Sequence, residues 1–288
     1  MLIKRLSILL SSEQNMFLYH AVKMRHTCLS VGLLILTMLL LPLVSAVQAA
    51  EVQVLKNTTP ERVLFVGNSY FYYNDSLHNH VRRIVDELSP GVAKGLQYKS
   101  ATIGGAALWH HAINNLMAPG KIGVDKPFDL VIFQGGSAEV LSDKRREIFY
   151  KTAKFYTEKA RETGAEVAFY MTHAYVPPHN RAKPNMIDTI SRSYIEVGDK
   201  NNALVIPVGL AFDRAYKARP DIQLHKSFDG SHPSMLGTYL AACVVYLSVY
   251  GGSIDGLTYT YFGEVDEADA QFLQQIATET VSDFFERK

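Results

Sequence analysis

Residues 63–76 read VLFVGNSYFYYNDS: an apolar run closed by Gly67, with a serine two positions beyond it. The apolar residues are continuous rather than alternating, which suits a strand covered on both faces, as in a parallel sheet. Gly67 lets the chain turn sharply off the strand end. Ser69 then begins a turn whose backbone amides can face an anion. By itself, a Gly-Asn-Ser turn is equally well explained by a serine that caps a helix.

Working outward, four more stretches share the first one's character: DLVIFQ (129–134), EVAFYM (166–171), ALVIPVG (203–209) and the weaker LQYKSAT (96–102). Helical patterns fill the gaps. Asp75-Ser76 can cap LHNHVRRIVDEL, and Gly105 precedes AALWHHAINNLM. The stretch KRREIFYKTAKFYTEKARETG places Phe149, Ala153 and Tyr156 on one side and ends at Gly164, and NMIDTISRSYIEVGDK follows Pro184. HPSMLGTYLAACVVYLSVY starts with Pro233 near its first turn, and ADAQFLQQIATETVSDFFE closes the chain. Such alternation predicts a three-layer α/β/α sandwich with a mostly parallel, five-stranded sheet. Active groups in these sheets collect at the carboxyl ends of the strands. Ser69 and Gly105 fall just beyond strand ends, and Gln134 at one.

The second informative stretch is SFDGSHPSMLGTYLAACVV at 227–245. It sets Asp229 three residues before His232 at the start of a predicted helix. That spacing lets the imidazole turn back over the carboxylate, which would fix its tautomer and favour the imidazolium. Asp229 or Ser231 could also simply hold the helix N-terminus. A hydroxyl, an imidazole and a carboxylate together are the parts needed for acyl transfer through a covalent serine. The serine is not in a G-x-S-x-G elbow.

G-N-S-Y after a strand, Gly104-Gly105 in ATIGGAAL, and D-G-S-H-P-S-x-x-G-x-Y-L-A-A resemble the SGNH (GDSL-like) hydrolase family over roughly residues 60–250. The resemblance implies the same sandwich, of flavodoxin-like type, and a serine ester hydrolase needing no cofactor. It implies Ser69 as nucleophile, His232 as general base and Asp229 as its orienter. The N–H groups of Ser69 and Gly105 would line an oxyanion hole. The third family block departs from the pattern. Phe133-Gln134-Gly135-Gly136-Ser137-Ala138-Glu139 puts Ala138 where the family's Asn would stand. Gln134 is the expected substitute donor, as in divergent branches that read L-Q-x-x-S. Loss of one such donor typically costs about 3 kcal/mol of transition-state stabilisation.

Asn68, Tyr70, Trp109, His173 and Tyr175 are the expected substrate-cleft residues, with packing roles as the alternative. His110 and His111 are adjacent and diverge on a helix, there is no H-E-x-x-H, and Asp75, Asp229 and Asp255 are dispersed, so no metal site is expected. Residues 29–49, LSVGLLILTMLLLPLVSAVQA, follow Lys23 and Arg25 and read as a secretory signal cut after Ala49, with Met24 as the true start and 1–23 as an upstream extension. If uncleaved, the same run would anchor the chain in a membrane. Residues 50–288 are then a single domain, secreted or periplasmic.

Residues 1–49 hold four of the 29 Lys/Arg and one of the 28 Asp/Glu, which leaves the remainder at a formal −2. That balance does not suggest nucleic acid. Cys28 lies in the signal, so Cys243 is a lone buried hydrophobe and no disulfide is expected. Asn57 and Asn74 head formal glycosylation sequons. The partner expected is a small-molecule or carbohydrate ester. A non-catalytic glycan-binding or envelope accessory protein of this fold, and an O-acyltransferase, are the competing classes. The sequence carries no signal for oligomeric state.

Overall fold

Five parallel strands form the centre of the computed structural model, which describes residues 53–286: β1 Arg62–Gly67, β2 Gln97–Thr102, β3 Leu130–Gln134, β4 Glu166–Tyr170 and β5 Leu204–Ile206, in the spatial order β2-β1-β3-β4-β5. The expected signal sequence and its expected cleavage site lie outside the described residues. By contacts the chain divides after Ala49, and everything below concerns the unit that follows. The helices are α1 Ser69–Tyr72, α2 Leu77–Leu88, α3 Pro90–Ala93, α4 Ile113–Met117, α5 Asp143–Glu162, α6 Met186–Asn201, α7 Val208–Ala218, α8 Met235–Tyr250 and α9 Glu267–Phe285.

Continuous apolar strands are explained by what covers them. On β1, Val63 and Phe65 join a core with side chains of α2, α7, α8 and α9, while Leu64 and Val66 point the other way to a core with α5 and α6. β3 divides likewise, Leu130 and Ile132 against Val131 and Phe133. Each such buried side chain contributes about 1.5–3 kcal/mol. The three-layer α/β/α sandwich is therefore as expected from the strand pattern. α8 is apolar almost all round because it lies between α2 and α9 rather than on the surface.

Registry sets the edge that carries the candidate site. Gly67 pairs with Thr102, and Val66 with Phe133, so β1, β2 and β3 end together. The chain leaves β1 for β2 on one side and later takes up β3 on the other. That makes β1 the strand where the winding reverses, and crevices open beyond its carboxyl end.

Three local expectations are corrected. The run 203–209 is not one strand, because β5 stops at Ile206 and Pro207 occupies the N-cap of α7, a helix absent from the sequence reading. Residues 106–117 are not one helix. Leu108–His110 form a 3-10 turn and α4 follows, with the Ala107 N–H donating to His110 Nδ1 and Tyr156 Oη–H donating to His111 C=O. Ser76 stands at the N-cap position of α2 but makes no side-chain cap bond, since Asn74, Asp75 and Ser76 all have positive φ.

Candidate active site

The turn after β1 is fastened at three points by Asn68. Its Oδ1 accepts from the Tyr70 N–H at 3.1 Å, its Nδ2 donates to Ala106 C=O at 2.9 Å, and its N–H donates to Gln134 Oε1 at 3.0 Å. Asn68 is buried, so it is a bracket joining the first, second and third segments rather than a cleft residue. Ser69 follows as the first residue of α1, its N–H without a partner among the described residues. Ile103 and Ala106 close a turn at 3.1 Å whose third residue is Gly105, φ +67°, and among the described residues the Gly105 N–H also has no partner. A side chain is disfavoured at that φ.

The late segment meets this turn. His232 Nε2 lies 2.8 Å from Ser69 Oγ, and His232 Nδ1 lies 2.5 Å from Asp229 Oδ2. Asp229 Oδ1 accepts from the N–H groups of Ser231 and His232 at 2.8 and 3.0 Å. Partial burial pushes the Asp229 carboxyl up. The His232 bond and the two backbone donors outweigh it and hold the group below its ordinary range. Both residues sit on a loop and not on a helix, because Ser234 caps α8 by accepting from the Gly237 N–H and leaves Pro233 outside. Gly230 has φ +63°, and a Cβ there would run into Val176 C=O.

Aromatic rings hold the imidazole from two sides. Tyr73 stacks on His232 at 4.2 Å, and Tyr70 meets its edge at 6.0 Å. Beneath, His173 is sandwiched between Tyr70 at 4.3 Å and Phe212 at 4.4 Å. His173 Nε2–H donates to Ser231 C=O at 2.8 Å, and Tyr70 Oη bonds Ser231 Oγ at 2.9 Å. Burial drives the His173 pKa well below the ordinary histidine value, so the ring is neutral. His173 therefore lies under the site and not at its rim, and Tyr70 braces it from below. Tyr175 is also buried, donating to Ser137 Oγ at 2.8 Å. Trp109 is half-buried, its ring edge-on to His110 at 5.5 Å.

Gln134 does not fill the place expected of it. Its Oε1 accepts from Asn68, and its Nε2 donates to the neighbouring Gly135 C=O, in a residue 1 % exposed. The amide braces the Gly67–Asn68 turn. Gly67 is obligatory here, since a Cβ would stand 2.5 Å from Gln134 Oε1 and 2.8 Å from Phe71.

Several contributors were missed from sequence. Glu139 Oε2 accepts from Leu108 N–H at 3.0 Å and Gly136 N–H at 2.5 Å, tying the third segment to the second. Burial pushes its pKa up to about 7, against the opposing pull of those two N–H groups and Arg145. Its signal was available: it is the first charged residue after β3. Asn74 Nδ2 donates to Pro233 C=O, Ser234 C=O and Thr238 Oγ1 at 3.0, 2.8 and 2.8 Å, so that sequon amide is occupied by the fold. Tyr73 and Ser231 carried no signal, since stacking partners and cross-loop bonds are not periodic.

No protein-family model and no curated protein matches the chain. Solved structures do. A DUF4886 family protein from Bacteroides uniformis matches with TM-score 0.60 and 17% identity over 79% of this chain and 97% of that one. A putative SGNH hydrolase from Slackia heliotrinireducens matches with TM-score 0.51 and 22% identity over 65% and 98%. An acetylxylan esterase from Geobacillus stearothermophilus, a catalytic mutant, matches with TM-score 0.53 and 14% identity over 68% and 96%. At these identities the likeness is one of fold.

Proposed function

We propose that this chain is a serine esterase that hydrolyses carboxylic esters, O-acetyl groups on carbohydrate in particular, through Ser69, His232 and Asp229. The observation that carries this reading is the unbroken relay Asp229–His232–Ser69, at 2.5 and 2.8 Å, on a turn that Asn68 ties to the Gly105 turn, the N–H groups of Ser69 and Gly105 having no partner among the described residues. Ser69 Oγ attacks the ester carbonyl while His232 Nε2 takes its proton. Asp229 holds the Nδ1–H and stabilises the imidazolium. The N–H groups of Ser69 and Gly105 receive the oxyanion. His232 returns the proton to the departing alkoxide, and water activated by the same ring releases the acid. With Gln134 occupied as a brace, the hole rests on its backbone donors.

Support for a sugar ester comes from two directions. The exposed side chains of Tyr72, Ile103 and Phe228 stand on the segments that carry Ser69, Gly105 and Asp229, and offer apolar surface of the kind on which a sugar ring packs. Among the solved proteins of this fold are acetyl xylan esterases. The apolar segment 29–49 supports export as a signal, placing the enzyme in the periplasm or outside the cell. No helix among the described residues is long and apolar enough to cross a membrane.

The test is turnover of short 4-nitrophenyl esters and acetylated oligosaccharides by the purified protein beside Ser69→Ala. Activity lost in the variant, with a fluorophosphonate label found on Ser69, is the expected result. Equal turnover in both proteins would remove Ser69 as nucleophile.

A further inference from the structure

A cavity of about 590 Å³ opens between the N-terminal ends of α5 and α6, walled by Ala138 from the third segment. Three cations line it: Arg145, Arg181 and Lys183. No carboxylate does. Among the described residues none of the three is in a salt bridge, whereas Arg146, the next residue along α5, pairs with Asp143. Ser142 and Asn185, the N-caps of α5 and α6, also line the cavity, and neither makes a side-chain cap bond. Positive charge from side chains and from two helix ends therefore converges on one concave space with no carboxylate in its lining, Glu139 lying outside it within electrostatic reach of Arg145.

This space borders the loop that packs against the candidate catalytic turn. A smaller cavity of about 210 Å³ shares Lys183 and Asn185 with it and reaches Tyr175 and Val176. The Val176 N–H donates to Gly230 C=O at 2.9 Å, one residue from Asp229. His179 packs against Gly230 and accepts at Nδ1 from the Arg181 N–H at 3.1 Å. The loop that carries Arg181 and Lys183 is thus the same loop that backs the Asp229 turn.

We propose that this cavity is an anion subsite that holds a carboxylate on the alcohol portion of the substrate, so that the enzyme acts on esters of acidic rather than neutral sugars. Planar guanidinium groups suit a carboxylate, which Arg145 or Arg181 can take in a two-point contact. The chain beyond β1 is otherwise formally acidic, so the patch is a local reversal of sign and not a general surface property. The inference rests on the esterase reading for its substrate, but the binding step stands apart from it.

The experiment pairs binding with turnover, using the purified protein and the triple variant Arg145→Gln, Arg181→Gln, Lys183→Gln. All three side chains are exposed, so the fold is retained. Calorimetric titration with trigalacturonate should show binding that weakens roughly tenfold in the variant, as expected for three partly screened charge contacts. Xylotriose, the neutral counterpart, should show no difference. Inorganic phosphate forms a third arm: displacement of trigalacturonate by millimolar phosphate would mean that the site reads charge alone and would refute the carboxylate preference. kcat/KM on acetylated trigalacturonate should fall by about the same factor, while 4-nitrophenyl acetate turnover stays within about twofold. Equal trigalacturonate binding by both proteins overturns the subsite whatever the turnover. Binding lost in the variant with no ester cleaved by either protein overturns the esterase reading and leaves the subsite standing.

Discussion

Replacing Asp229 by asparagine changes one heavy atom, yet the surrounding bonds determine which way the new amide must face. Oδ1 already accepts from two backbone N–H groups, at 2.8 Å from Ser231 and 3.0 Å from His232. The amide NH2 cannot replace it there, so the amide nitrogen turns toward His232 Nδ1. Nδ1 must then accept, the ring proton moves to Nε2, and Nε2–H faces Ser69 Oγ with nothing to receive the nucleophile's proton. The lost charge adds to the wrong tautomer. The side chains of His232 and Asp229 are 27% and 23% exposed, so an effective dielectric near 20 applies. Two unit charges about 4 Å apart then interact by about 4 kcal/mol, which is about a thousandfold in rate. Asp229→Asn should therefore lower kcat on 4-nitrophenyl acetate by a thousandfold or more, with KM little changed and the melting temperature within a few degrees of the parent. Asp229→Ala, which leaves room for water beside Nδ1, should retain at least as much activity as the asparagine variant. Stopped-assay kinetics with thermal melts on the same preparations decide it. An asparagine variant within tenfold of the parent would refute the relay.

Three further outcomes are expected. For Glu139, whose folded pKa of about 7 exceeds the ordinary 4.5, the native state holds its proton longer than the unfolded chain, so its contribution to stability falls as pH rises from about 4.5 to 7. Glu139→Gln should gain about 3 kcal/mol on the parent between pH 4.5 and 8 in urea melts; a difference independent of pH would exclude a raised Glu139. The comparison must be between variants, because His225, lowered to about 4 chiefly by burial, contributes the opposite slope between about pH 4 and 6.5. Gln134→Leu leaves the buried Asn68 N–H unpaired and should cost about 1–3 kcal/mol of stability. Unchanged stability with kcat about a hundredfold lower would instead make Gln134 an oxyanion donor. His173→Phe keeps both ring stacks and removes only the bond to Ser231 C=O, so kcat should fall about tenfold while KM holds; restoration of kcat by His173→Gln, which can donate to the same carbonyl, separates positioning from packing.

What the chain settled on its own is the part of the protein that repeats. Four of the five strands are legible because their residues are apolar on both sides, and the two faces of β1 show why both sides had to be apolar. The long helices α2, α5, α6, α8 and α9 are legible from periodicity and from end signals such as Gly164. Ser69, Asp229 and His232 stood out as candidates because each is marked locally, by a glycine at a turn or by a short acid–histidine spacing, whereas Gly105 was singled out through the family resemblance. Other features needed the folded chain. α7 was hidden because Pro207 ends a strand and begins a helix within one apolar run. Gln134 and Asn68 have donors and acceptors that suit either a substrate or a backbone, and only the 3.0 Å approach of β3 to the Gly67–Asn68 turn decided for the backbone. His173 and Tyr175 close a strand and so read as rim residues, but the loop carrying Ser231 folds over His173. Local pattern records which groups a residue offers and which face it presents. Which partner takes those groups depends on segments far away in sequence, 66 residues for Asn68 and Gln134 and 163 for Ser69 and His232, and that pairing exists only once the sheet has brought them to one edge.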